Sequence, residues 1–130
     1  FAREGDVLIA ATDGVLDNLF DRDLQACVSE LLSSLSCDDP FTAQDSISLL
    51  ARNIAERASA IGQRQNDPGV STPFMRAAAE EGRDRSSGGK LDDIAIVCGV
   101  VREGLRPGLR LGHNFNGPPQ LSRVHALCHA

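Results

Sequence analysis

The sequence predicts an α+β chain. Two short apolar runs, at residues 7–12 and 94–101, read as strands because turn residues bound them and Val and Ile enrich them. Between them, apolar residues recur at i, i+3, i+4 and i+7, the spacing of a helix with one buried face. At 130 residues the chain has the size of one domain or of a piece of a larger one.

Each element has its own signal. The first strand, Val7-Leu8-Ile9-Ala10-Ala11-Thr12, follows the Gly5-Asp6 turn and stops at Asp13-Gly14. After the apolar turn Val15-Leu16-Asp17-Asn18-Leu19-Phe20, Asp21 is the expected cap of a helix over 22–35. Leu24, Cys27, Val28, Leu31, Leu32 and Leu35 share one face of that helix, and Cys37-Asp38-Asp39-Pro40 breaks it. Thr42 is the expected cap of a longer helix with Ile47, Leu50, Ala51, Ile54, Ala55, Ala58 and Ile61 on its apolar face, ending at Gly62. Thr72-Pro73 starts a short helix through Glu81, with Gly82 as its stop. Residues 83–90 read as a polar loop. The second strand, Ile94-Ala95-Ile96-Val97-Cys98-Gly99-Val100-Val101, is apolar on both faces, as for a strand covered on both sides. The prolines and glycines after Arg102 predict no regular element, so residues 1–102 read as the folded part and 103–130 as a flexible extension.

Composition excludes several functions. With 42% hydrophobic and 24% charged residues, the chain has the content of a packed domain, not of a disordered tail. Its longest apolar run, Val7-Leu8-Ile9-Ala10-Ala11, falls far short of the ~20 residues of a membrane span, and no secretory signal pattern is visible. A net charge of −5, five Phe and no Trp or Tyr argue against nucleic-acid binding. Residues 102–130 carry four arginines against one glutamate, so the acidic surplus lies in the first 101 residues. Cys27, Cys37, Cys98 and Cys128 have no zinc-site spacing and are expected to be reduced thiols in an intracellular compartment. His125, Cys128 and His129 lack a second ligand pair, so no metal site is expected there.

The chemistry concentrates where acidic residues meet strand ends. Asp13 follows the first strand, and Asp92 and Asp93 precede the second. If the strands run antiparallel in one sheet, these carboxylates converge at one edge. Clustered carboxylates repel unless a cation neutralises them, and hard oxygen ligands suit Mg²⁺ or Mn²⁺. Spacing alone fits two readings, a cation site and a pair of ordinary Asp-containing turns. There is no Gly-x-Ser-x-Gly elbow, and Gly88-Gly89-Lys90 lacks the pattern of a phosphate-binding loop.

At these residues the chain resembles a known family. Leu8-Ile9-Ala10-Ala11-Thr12-Asp13-Gly14-Val15-Leu16-Asp17-Asn18 looks like the strand-Asp-Gly motif of the metal-dependent protein serine/threonine phosphatases of type 2C. Gly88-Gly89-Lys90-Leu91-Asp92-Asp93-Ile94 looks like that family's last motif. Ile54-Ala55-Glu56-Arg57-Ala58, Asp67-Pro68 and Thr72-Pro73-Phe74 resemble the organellar branch, and the match runs over about residues 5–102.

The resemblance implies the C-terminal half of a four-layer α-β-β-α sandwich with antiparallel sheets. It assigns Asp13 and Asp92 as ligands of a two-metal Mg²⁺ or Mn²⁺ centre. Asp17 would serve an additional, weaker metal site or only cap a helix entry, and Asp93 would orient Asp92. The implied reaction is hydrolysis of phosphoserine or phosphothreonine in protein substrates by a metal-activated water, with no protein nucleophile. The implied location is a mitochondrion or plastid, and a monomer is expected.

Three departures qualify the resemblance. The family's earlier motifs, including a metal-bridging Asp, are absent before Asp13. Ala95 stands where a hydroxyl residue is common. The tail has no counterpart. With the start at Phe1 and an almost immediate strand, these departures suggest a fragment, inactive alone. The alternative is a catalytically dead relative that binds partners.

Overall fold

A computed structural model of the chain describes residues 2–34, 43–83, 87–101 and 124–128. Strand β1 (Val7–Ala11) leads into a one-turn helix α1 (Asp13–Leu16), followed by α2 (Asp21–Ser34), α3 (Ala43–Gly62) and α4 (Pro73–Glu80). Strand β2 (Ile96–Val100) then pairs antiparallel with β1, and β3 (Val124–Cys128) pairs parallel with its other edge. The architecture is α+β, as expected. The register sets Ala11 opposite Ile96, which puts the exit of β1 beside the approach to β2.

The alternation of a strand and the period of a helix select the same core. Val7 and Ile9 point from one face of β1 onto Leu24, Cys27, Val28 and Leu31 of α2 and onto Leu50, Ile54 and Ala58 of α3, all buried. Burial raises the Cys27 and Cys98 thiols, the latter to about 11, so both are protonated hydrophobes at neutral pH, as expected of cysteines on apolar faces. No helix among the described residues is long and apolar enough to cross a membrane.

Local capping follows the sequence in one place and departs from it in another. Thr72 caps α4 by accepting a hydrogen bond from Met75 N at 3.3 Å, with Pro73 as the first helical residue. Asp21 is already inside α2, and Asp23 closes that start by accepting from Phe20 N at 2.9 Å. Thr42 and Cys37 lie outside the described residues, as do the side chains of Cys128 and the three histidines.

Two expectations are corrected. The second strand was expected to be covered on both faces, yet Val97 is 70% exposed while Ile96, Cys98 and Val100 pack inward. Among the described residues the helices cover one face of the β1–β2 pair only. No regular element was expected after Arg102, but β3 lies there, formed by a stretch that follows the last proline and contains no glycine.

Candidate metal centre

The end of β1 and the approach to β2 are joined by hydrogen bonds that no local pattern encodes. Thr12 N donates to Ala95 O at 3.0 Å, and its hydroxyl donates to Asp93 O at 2.9 Å while accepting from Ala95 N at 3.0 Å. Thr12 occupies the N-cap position of α1 without a capping side-chain bond, because its hydroxyl is engaged across the sheet edge instead. Asn18, 3% exposed, makes a second clamp. Its Oδ1 accepts from Lys90 N at 2.9 Å, and its Nδ2 donates to Lys90 O and to Gly14 O, both at 2.8 Å.

Glycines permit this close approach. A Cβ on Gly14 would overlap the Asp93 carbonyl oxygen and stand 3.2 Å from Asp92 Cβ. A Cβ on Gly89 would overlap the Ile61 carbonyl oxygen at the end of α3. The Gly-Gly pair therefore lets the chain run against that helix and arrive at Lys90 in register with Asn18, whose clamp sets the position of the Leu91–Asp93 segment.

Three carboxylates converge as a result. Asp13 and Asp17 sit four residues apart, one at the start of α1 and the other at its C-cap, so they face the same side. Asp92 joins them from the approach to β2, and one oxygen from each lies within 4.8 Å of the others. Asp93 does not join: its main-chain N–H donates to Asp92 Oδ1 at 3.1 Å, and it is this backbone group, not the Asp93 carboxylate, that touches Asp92.

A cation of the chain's own stands in the group. Lys90 Nζ is 2.6 Å from Asp17 Oδ2, 2.9 Å from Asp92 Oδ2 and 3.6 Å from Asp13 Oδ2. The Phe74 ring lies under the same ammonium, 5.3 Å from centroid to Nζ. Hydrogen bonds to Asp17 first, and to Asp92 second, raise the lysine above its ordinary pKa against the opposing effect of desolvation. One ammonium leaves three carboxylates with an excess of two negative charges. The three carboxylates form an all-oxygen, anionic donor set of the kind that could hold a hard divalent cation.

Of the residues singled out from sequence, Asp13, Asp17 and Asp92 are thus brought together, and Asp93 contributes main chain. Thr12, Asn18 and Lys90 were not singled out. Asn18 lies inside the quoted Asp-Gly motif and Lys90 inside the Gly-Gly-Lys motif, and membership of those motifs is the one signal that points to them.

Comparison with known proteins agrees with the motifs. The chain is 37% identical over 100 residues to probable protein phosphatase 2C 71 of Oryza sativa subsp. japonica, covering 77% of this chain and 19% of that protein. It is 41% identical over 97 residues to probable protein phosphatase 2C 55 of Arabidopsis thaliana, covering 75% and 18%. It is 33% identical over 99 residues to the protein phosphatase PTC7 homolog of Homo sapiens, covering 76% and 29%. The chain therefore spans less than a third of the length of these curated relatives. No family model matches, and no solved structure matches.

Proposed function

Given that three quarters of this chain is homologous to type 2C protein phosphatases, we propose that it supplies part of the metal-binding wall of a metal-dependent phosphatase acting on phosphoserine or phosphothreonine proteins. The convergence of Asp13, Asp17 and Asp92 within 4.8 Å carries this reading. Asp13 and Asp92 would hold the cations of the reaction centre, Mg²⁺ or Mn²⁺, with Asp17 serving an additional site. When bound, such cations acidify water and screen the charge on phosphate.

The chain's own residues prepare that site. Thr12 and Asn18 lock the Asp92 segment to α1, so the carboxylates are held before any ligand arrives and little ordering cost falls on binding. The Asp93 N–H fixes one Asp92 oxygen and leaves the other facing the group. Three carboxylates are a sparse set for a two-metal centre, and the chain spans less than a third of its relatives. Alone it is expected to be inactive.

A chimera tests the proposal. Residues 5–102 of this chain replace the matching segment of the human PTC7 homolog, and hydrolysis of a phosphothreonine peptide is measured with Mn²⁺. The chimera is expected to turn over, and Asp92→Asn within it to lose about a hundredfold or more of kcat/KM. A folded chimera without activity would favour the reading as a phosphatase-like binding module.

A further inference from the structure

We propose that Lys90 is a displaceable internal cation: its ammonium holds the Asp13, Asp17 and Asp92 carboxylates together until a divalent cation evicts it, and so sets the concentration at which metal binds. The proposal rests on the reading of the carboxylates as a cation site.

The geometry separates a fixed part of Lys90 from a movable part. Its main chain is held on both sides by the buried Asn18 amide and cannot leave without breaking those bonds. Its side chain is 29% exposed, so the four-carbon stem can swing outward without opening the core. The ammonium touches all three carboxylates and no other anion among the described residues. A structural ion pair would need one partner. A charge paired with three carboxylates would compete for the same oxygens that a divalent cation would need.

Competition has a direction that structural support does not. Removing the ammonium takes away a repulsive charge from an incoming cation, so metal affinity rises. The same change leaves three carboxylates facing one another, so the metal-free protein becomes less stable. A lysine that merely braced the site would lower both together.

The test uses the 130-residue chain, Lys90→Met (which keeps an unbranched stem of similar length without the charge) and Asp92→Asn. Mn²⁺ binding is followed by electron paramagnetic resonance and thermal unfolding by circular dichroism. Lys90→Met is expected to bind Mn²⁺ roughly tenfold more tightly than the native chain. It should also melt lower without metal and gain more from Mn²⁺. Equal or weaker binding by Lys90→Met, while Asp92→Asn weakens it, overturns the role of Lys90 and leaves the cation site standing. Binding that is undetectable, or indifferent to Asp92→Asn, overturns the site itself and the proposal with it. Should Lys90→Met fail to fold, the native chain still decides. Displacement predicts that the Lys90 Cε resonance shifts along a saturating Mg²⁺ titration, and a resonance that stays in place refutes it.

Discussion

Asn18→Ala is expected to lower the free energy of unfolding by about 3 kcal/mol. The Asn18 side chain is buried and satisfies Lys90 N, Lys90 O and Gly14 O at 2.8–2.9 Å. Alanine strands an N–H and two carbonyls in a buried to half-buried place, and each stranded group costs about 1 kcal/mol. The loss also reaches the site, because Asn18 ties the segment carrying Asp92 to the helix carrying Asp13 and Asp17. Urea unfolding measures the first effect and Mn²⁺ titration the second. A loss below about 0.5 kcal/mol, the range of an ordinary surface substitution, would show that the clamp is not formed in solution.

Gly14→Ala is expected to cost about 3 kcal/mol, at the upper end for an added methyl in a packed region. The obstacle is backbone, not a side chain that could turn away. The new Cβ would overlap the Asp93 carbonyl oxygen and crowd Asp92 Cβ at 3.2 Å. Relief requires the Asp92-Asp93 segment to move off α1, which breaks the Thr12 hydroxyl bond to Asp93 O and separates Asp92 from Asp13. Stability and Mn²⁺ affinity should therefore fall together, unlike the opposed changes expected at Lys90. Gly99→Ala is the control, since nothing lies within 4 Å of a Cβ there, and it should change stability by less than about 0.5 kcal/mol.

The elements were legible because each follows a local rule. Leu24, Cys27, Val28 and Leu31 repeat at helical spacing, and Thr72-Pro73 is a helix start readable in two residues. The meeting of Asp13 and Asp92 was legible once the two strands were set antiparallel, since register then fixes which ends are neighbours. What sequence did not reveal depends on partners far along the chain. Thr12 and Asn18 find their partners 81–83 and 72 residues away, and nothing in a window around either residue distinguishes a cross-chain clamp from a cap or a turn. Lys90 read as part of a solvated loop because its charge is only informative once Asp17, 73 residues earlier, is beside it. Asp17 has two open readings from sequence, a weak cation site or a helix-entry cap. It stands at the C-terminal end of α1 instead of a helix entry, and its carboxylate faces Lys90. Val97 was read as covered because hydrophobicity alone does not say which face of a strand its helices choose.

Asp13 and Asp92 are expected to act together in holding divalent cations. Mn²⁺ titration of the native chain, Asp13→Asn, Asp92→Asn and the surface variant Asp67→Asn, each checked for native helix content, tests it directly. Weak but saturable binding is expected of the native chain and of Asp67→Asn, reduced about tenfold or more in each of the other two. Unchanged affinity in folded Asp13→Asn and Asp92→Asn would contradict it.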